Sequence, residues 1–186
     1  SLIKPKKGGQ IFHKVDRFPI FSSTLENCIK SHKDFTMGGA KYEDDYQLMF
    51  GLPNIVNSLL AIKTLVYDSK KYTLSEFLNA VRCNWEGYED IRCEAMLCHC
   101  WGDGNEDSCD LANRFNNDLF NVCQKKTGTY GGKVHMGHLT YTEIRWWGEK
   151  TMATPDGRKN GEYFAQGLTP SRIKRIPCVN DVINSM

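Results

Sequence analysis

Several groups of residues in this 186-residue chain have types and spacings that could do chemistry. Cys93, Cys98, His99, Cys100 and Cys109 are potential soft metal ligands. Zinc, however, favours pairs spaced so that a turn aims both side chains at one point, whereas adjacent Cys98-His99-Cys100 on a helix point apart, so packed thiols are the simpler reading. Asp103-Gly104-Asn105-Glu106-Asp107 begins like a calcium loop, but Ser108 stands where the sharp turn needs glycine and Arg114 where a bidentate glutamate should close the shell. A helix start capped by Asp107 or Ser108 is expected there instead. Glu86, Glu89, Asp90 and Glu94 contain possible acid/base pairs, but a solvated helix face is the expected reading. His135 and His138 are expected on a turn and a strand without catalytic duty. Pro155-Asp156-Gly157-Arg158 is a turn signal, with proline fixing φ and glycine supplying positive φ.

The elements that must position these groups are mostly helical. Residues 22–32 read as a short helix with Leu25, Cys28 and Ile29 on one side. From Pro53 to about Ser69 a helix is expected, with proline in its first turn and Ile55, Val56, Leu59, Ile62 and Val66 at helical spacing. Thr73-x-x-Glu76 is a capping box that opens another helix with Phe77, Leu78 and Val81 inward. A helix from Tyr88 to about Cys98 and a further one marked by Leu111, Phe115, Leu119 and Val122 follow. After the turn residues Gly128 to Gly132, the β-branched and aromatic run Val134 to Trp147 predicts a strand, with His138, Thr140, Thr142 and Ile144 alternating against Leu139, Tyr141, Glu143 and Arg145. Helices with an isolated strand fit part of a larger α/β barrel better than a complete sheet. A strand without neighbours leaves its ladder unpaired and its faces uncovered, so partner segments or self-association are expected.

Composition excludes some classes of function. Lys and Arg number 24 against 22 Asp and Glu, a net charge of +2, and the only basic cluster, Lys4, Lys6 and Lys7, reads as a solvated tail rather than a nucleic-acid surface. Lys63 interrupts the longest apolar candidate, around Ile55 to Val66, so no membrane span is expected, and no signal-peptide pattern is present. Eight cysteines in a chain without an Asn-x-Ser/Thr sequon read as reduced thiols of a cytoplasmic protein rather than a secreted disulfide framework.

A longer string gives the turn more weight. Ala153-Thr154-Pro155-Asp156-Gly157-Arg158-Lys159-Asn160-Gly161-Glu162, followed by Ala165 and Gly167-Leu168-Thr169-Pro170-Ser171, resembles the late-barrel segment of glycyl radical enzymes, the pyruvate formate-lyase and diol dehydratase family. Other blocks resemble that family in its order: Gly38-Gly39-Ala40-Lys41-Tyr42, Gly51 to Lys63, Asn84-Trp85-Glu86-Gly87-Tyr88-Glu89, Gly104-Asn105-Glu106-Asp107 with Asp110-Leu111-Ala112, and Val182-Ile183-Asn184-Ser185. The resemblance implies an α/β fold, the helix-rich part of a glycyl-radical-enzyme-type barrel, incomplete on its own. Residues 1–21 then read as an N-terminal extension and 22–186 as the barrel segment.

What the resemblance implies about function depends on two loops. Members carry a cysteine in a G-C-x-E setting that becomes a thiyl radical, and a radical glycine in R-V-x-G-[YF]; neither string occurs in these residues, and Arg92-Cys93-Glu94 has the wrong spacing. The implied activity is radical cleavage of a small organic substrate by an anaerobic dehydratase or C–N or C–C lyase. The dehydratase and amine-lyase branch resembles this chain more than pyruvate formate-lyase proper. The chain itself is expected to be inert and to bind no cofactor. A protein glycyl radical, and a radical S-adenosylmethionine activating enzyme that generates it, belong to the intact enzyme. A stand-alone, non-catalytic binding relative is the alternative.

Candidate pocket residues are Tyr141, Thr142, Glu143 and Ile144. Asp156 and Arg158 lie at the strand's exit, where α/β barrels gather functional groups; an internal ion pair shaping the turn is the expected role. The chain departs from the family's glycine-rich G-x-x-x-G-P-T-A approach at Arg172 to Asp181, and Trp146-Trp147 is also atypical, so the pocket is expected to differ.

Overall fold

The computed structural model describes residues 13–140, 142–174 and 176–185, which leaves Lys4, Lys6, Lys7 and the pocket candidate Tyr141 outside the described residues. The element order is α1 (Pro19–Thr24), α2 (Cys28–Ser31), β1 (Asp45–Met49), α3 (Leu52–Ile62), α4 (Leu74–Arg82), α5 (Glu89–Leu97), α6 (Glu106–Gln124), β2 (Val134–His138), α7 (Ile144–Glu149) and α8 (Val179–Asn184). The chain divides into two compact units. Ser1–Gln47 with Asn117–Gly137 form the first, and Leu48–Asn116 with His138–Met186 the second. β1 and β2 form a two-stranded sheet. The bonds from Asp45 N to Lys133 O and from Leu139 N to Met49 O advance together along both strands, the parallel sense.

In the first unit, residues 22–32 do not form one helix. Leu25 is extended and Asn27 takes φ of 80°, so the chain breaks into α1 and α2. Asp34 ties this region together. Its carboxylate accepts from the Thr36 hydroxyl and amide at 2.6 and 2.9 Å, from the Ser22 hydroxyl at 2.7 Å and from Phe18 N at 3.0 Å. Phe35 packs against Phe18 and Phe21 with ring centroids 5.7 and 5.0 Å away. The Thr36 hydroxyl first, then the Ser22 hydroxyl and the amides, hold the Asp34 carboxyl down at about 2.

A carboxyl depressed on folding contributes stability that is present above its unfolded pKa, near 4, and is lost as pH falls through about 2. Hydrogen exchange of the Thr36 amide is therefore expected to accelerate as pH drops from 4 towards 2, beyond the intrinsic pH dependence. In Asp34→Asn that extra acceleration should vanish; if it persists, Asp34 is not its cause.

In the second unit the helix signals operate as side chains. The Thr73 hydroxyl accepts from Glu76 N at 3.2 Å, while the Glu76 carboxylate accepts from Thr73 N at 2.9 Å, closing the capping box of α4. Thr73→Ala should lower unfolding stability by about 1 kcal/mol, read from a urea titration; an unchanged midpoint would show the box to be dispensable. α3 continues into a π-helical stretch, Lys63–Asp68, so the expected helix to Ser69 exists but with widened hydrogen bonding at its end. Two cores result. Ala61, Leu65, Val66, Phe77, Ala80, Val81, Trp85, Ala95 and Ala153 form one, and Leu52, Val56, Leu60 and Ala112 the other.

The expected strand Val134 to Trp147 is only partly present. It ends at His138, and Ile144–Glu149 is helical. Arg145 pairs with Glu149 at 2.9 Å one turn on, and the Thr151 hydroxyl closes the last turn onto Trp147 O at 2.7 Å. Gly148 is needed here because a Cβ would lie 2.4 Å from Glu162 O.

Candidate functional site

The turn after Ala153 is where the separated sequence blocks meet. Thr154 N bonds Arg158 O at 3.0 Å, and Gly157, at φ of 93°, turns the chain where a Cβ would strike Met96 Cγ at 2.5 Å. Asp156 and Arg158 are both buried. Asn54, on the first turn of α3, donates to Asp156 Oδ2 at 2.7 Å and accepts from Ala165 N at 2.7 Å. The Trp85 indole N–H donates to Arg158 O at 3.2 Å, Asn84 Oδ1 accepts from Asn160 N at 2.7 Å, and Arg92 Nε donates to Gly157 O at 2.7 Å. Nearby, Asn57 Oδ1 accepts from Trp101 N and the Trp101 indole donates to Leu168 O, each at 2.7 Å.

Arg158 serves as the turn's hub. Its Nε donates to the Thr154 hydroxyl at 3.2 Å, and its Nη1 faces the carbonyls of Glu162, Lys159 and Gly148 at 2.7, 3.2 and 3.4 Å. Its Nη2 donates to Thr151 O at 3.1 Å and to Met152 O. The Phe164 ring covers the guanidinium at 4.4 Å. Burial lowers the Arg158 pKa, and the Asp156 and Glu162 carboxylates act against that shift. Asp156 does not form the direct ion pair expected with Arg158. Its oxygens take the Thr154 hydroxyl at 2.5 Å, the Arg158 amide at 3.4 Å and Asn54. A guanidinium has five N–H donors, and these contacts occupy the whole fork. The pair therefore acts as scaffold: it shapes the backbone and leaves no donor for a substrate.

The pocket candidates separate. Thr142 and Glu143 lie exposed in a turn rather than on a strand, while Ile144 opens α7 and lines a cavity of about 480 Å³ together with Tyr163, Phe164 and Arg172. The sequence reading missed Phe164 and Arg172, although the departure at Arg172 was a signal that pocket chemistry changes there.

The other candidates are held by structural bonds. Asp103 accepts from Cys100 N, Asn105 N, the Ser108 hydroxyl and His99 Nδ1 at 2.9–3.1 Å, which spends on protein donors the oxygens a calcium ion would need. These bonds lower its pKa against its burial. The cap of α6 is Asn105, whose Oδ1 accepts from Asp107 N at 2.9 Å, rather than Asp107 or Ser108. Among the described residues no three His, Cys, Asp or Glu side chains are grouped to hold a metal, and no disulfide joins the cysteines. Glu86, Glu89 and Asp90 are exposed, and Glu94 pairs with Lys71 at 2.6 Å. His135 bonds Asp44 at 2.9 Å, and His138, its pKa lowered by burial, bonds Asn116 at 3.0 Å.

Comparison with known proteins identifies the family of this chain. The pyruvate formate lyase-like family model matches residues 8–148. The chain is 33% identical over 156 residues to the (2S)-3-sulfopropanediol dehydratase of Klebsiella oxytoca, covering 82% of this chain and 19% of that protein. It is 29% identical over 155 residues to the trans-4-hydroxy-L-proline dehydratase of Clostridioides difficile, covering 83% and 20%. The crystal structure of a glycyl radical enzyme from Archaeoglobus fulgidus superposes with a TM-score of 0.83 at 27% identity, covering 92% of this chain and 22% of that one. The chain thus spans about a fifth of the length of the relatives it matches, and its fold is part of their α/β barrel. By sequence and by fold, the chain belongs to the pyruvate formate lyase-like family, the glycyl radical enzymes.

Proposed function

We propose that these residues build part of the barrel scaffold of a glycyl radical dehydratase or lyase acting on a small organic substrate, and that they are inert alone. The observation that carries this reading is the convergence of Asn54, Trp85 and Arg92 on the 153–167 turn, with its hub arginine fully engaged by the backbone. That arrangement fixes a turn at the end of a barrel segment; it moves no proton and presents no nucleophile. In the intact enzyme a glycine-centred radical, generated by a radical S-adenosylmethionine activating enzyme, supplies the thiyl radical that attacks the substrate. Relatives named as dehydratases of hydroxyproline and sulfopropanediol support the reaction class. We further propose a cytoplasmic, anaerobic setting; no helix among the described residues is long and apolar enough to cross a membrane.

Exposed apolar side chains support a need for the remainder of the barrel. Leu97, Ile176, Val179 and Ile183 are 85, 87, 75 and 62% exposed in the second unit, apolar area that the remainder of the barrel would cover. Reconstitution tests both halves of the proposal. Incubated anaerobically with an activating enzyme, these 186 residues should give no glycine-centred radical by electron paramagnetic resonance and no turnover of trans-4-hydroxy-L-proline or sulfopropanediol. Co-expressed with the complementary barrel segments of a relative, they should co-purify with them. A radical on this chain, or a monodisperse monomer indifferent to those segments, overturns the reading.

A further inference from the structure

Asn160-Gly161 is the one Asn-Gly pair in the sequence, and it forms the tip of the turn that Arg158 organises. Asparagine is among the thermolabile residues, because its side-chain carboxamide lies within reach of the next residue's backbone nitrogen. Glycine hinders that approach least, since it has no Cβ and moves freely in φ. Gly161 takes φ of 84°, and a Cβ built there would meet nothing within 4 Å. Neither the Gly161 amide nor the Asn160 carboxamide makes a hydrogen bond among the described residues. The turn is nonetheless held from within its own unit. Asn160 N donates to Asn84 Oδ1 at 2.7 Å, Lys159 N to Glu162 Oε2 at 2.7 Å and Glu162 N to Lys159 O at 3.2 Å. Its conformation therefore rests on these contacts and not on what covers the rest of the chain. The two Asp-Gly pairs, which share the same chemistry, are held back. Asp156 is buried and Gly157 N is bonded to Thr154 O at 3.1 Å, while the Asp103 carboxylate accepts from Cys100 N, Asn105 N and the Ser108 hydroxyl.

We propose that Asn160 is a site of spontaneous deamidation, a self-modification that loosens the Arg158 turn as the protein ages. The Gly161 nitrogen attacks the Asn160 side-chain carbonyl carbon. A C–N bond forms as the bond to Nδ2 breaks, and ammonia leaves with the proton of the attacking amide, closing a succinimide. Water then opens the imide. Cleavage at the side-chain carbonyl leaves aspartate on an unaltered main chain; cleavage at the main-chain carbonyl leaves isoaspartate, with the main chain rerouted through the side chain and one methylene longer. The only reactant from outside is water. The added methylene falls between Lys159 O and Glu162 N, the two ends of the turn's own hydrogen bond, and between the Lys159 and Glu162 carbonyls that Arg158 Nη1 holds at 3.2 and 2.7 Å. Isoaspartate therefore stretches the segment that the guanidinium fixes.

Ageing the full-length protein that carries this chain, unactivated and at mildly alkaline pH, tests the proposal. Peptide mapping by mass spectrometry locates the converted asparagine, and methyl transfer by an isoaspartyl methyltransferase counts the isoaspartate. Asn160 should convert before any other asparagine, at a rate within about tenfold of that in the urea-unfolded protein. Asn160→Gln should remove the isoaspartate signal, because its longer side chain must close a larger ring. In the isoaspartyl form the Glu162 amide, with its turn bond broken, should exchange about tenfold faster. Asn160→Asp, which has the new charge without the extra methylene, should leave that exchange unchanged. Conversion more than about tenfold slower in the folded than in the unfolded protein, earlier conversion of another asparagine, an isoaspartate signal that survives Asn160→Gln, or Glu162 exchange indifferent to isoaspartate overturns the proposal. The readout is covalent change in unactivated protein, so any of these failures leaves the glycyl radical reading intact, and a failed radical assay leaves this one intact.

Discussion

Arg158→Met is expected to destabilise the protein by at least about 3–5 kcal/mol, enough to unfold the second unit's turn at room temperature. The substitution preserves much of the side chain's volume and its contact with Phe164, so packing alone predicts a small effect. What it removes is the donor fork. The carbonyls of Gly148, Thr151, Met152, Lys159 and Glu162 and the Thr154 hydroxyl each lose an N–H. Each buried acceptor left unpaired costs about 1–3 kcal/mol, and partial access of water to the outer carbonyls brings the sum down to the stated range. Arg158→Lys restores the charge but has only a point donor in place of the fork, so it should recover less than half of the loss. Urea titration of the three forms, with the slope checked for constancy, measures this. A loss below about 1 kcal/mol for methionine would show that the guanidinium is not the hub of the turn.

Trp85→Ala should cost a similar amount, about 3–5 kcal/mol, and Trp85→Phe about 1 kcal/mol. Trp85 is fully buried in the larger core and meets the Phe77 ring edge-on at 5.8 Å. Phenylalanine keeps that contact and gives up only the indole hydrogen bond to Arg158 O, a carbonyl that Thr154 N continues to serve at 3.0 Å. Alanine empties the site, and the backbone then has no side chain to hold Trp85 at its left-handed φ of 65°. The order of the two variants is the decisive result. Equal losses would mean that the hydrogen bond, rather than the ring, anchors the block.

The parts of this fold legible in the sequence were those where local chemistry and tertiary packing agree. Thr73 and Glu76 cap α4 as their spacing requires, and the apolar faces of α3 and α6 supply Val56, Leu60 and Ala112 to a common core. Legibility failed where tertiary contacts overrode propensity. The run through Trp146-Trp147 has strand-forming composition, yet Gly148 must approach the Glu162 backbone and the chain turns helical from Ile144. β1 went unrecognised because Asp45 to Met49 is short and holds only a weak alternation, and its bonds come from partners some 90 residues away, as Asp45 N to Lys133 O shows. The turn at Asp156 was recognisable as a string. That Arg158 would be spent on five carbonyls and the Thr154 hydroxyl was not, since those carbonyls belong to backbone whose course only the folded chain defines.

The Asn54 side chain bonds Asp156 and the amide of Ala165 across 102 and 111 residues of sequence. During synthesis α3 leaves the ribosome with that amide group unmatched, and at ordinary elongation rates its partners emerge roughly 5–20 s later. Closing so long a loop defers the reward for early structure, so this region is expected to mature late and in one cooperative step rather than helix by helix. Until α6 emerges with Ala112, the nascent chain carries its Val56 and Leu60 face uncovered, which makes the stretch between α3 and α6 the window in which a chaperone has most to gain by holding it.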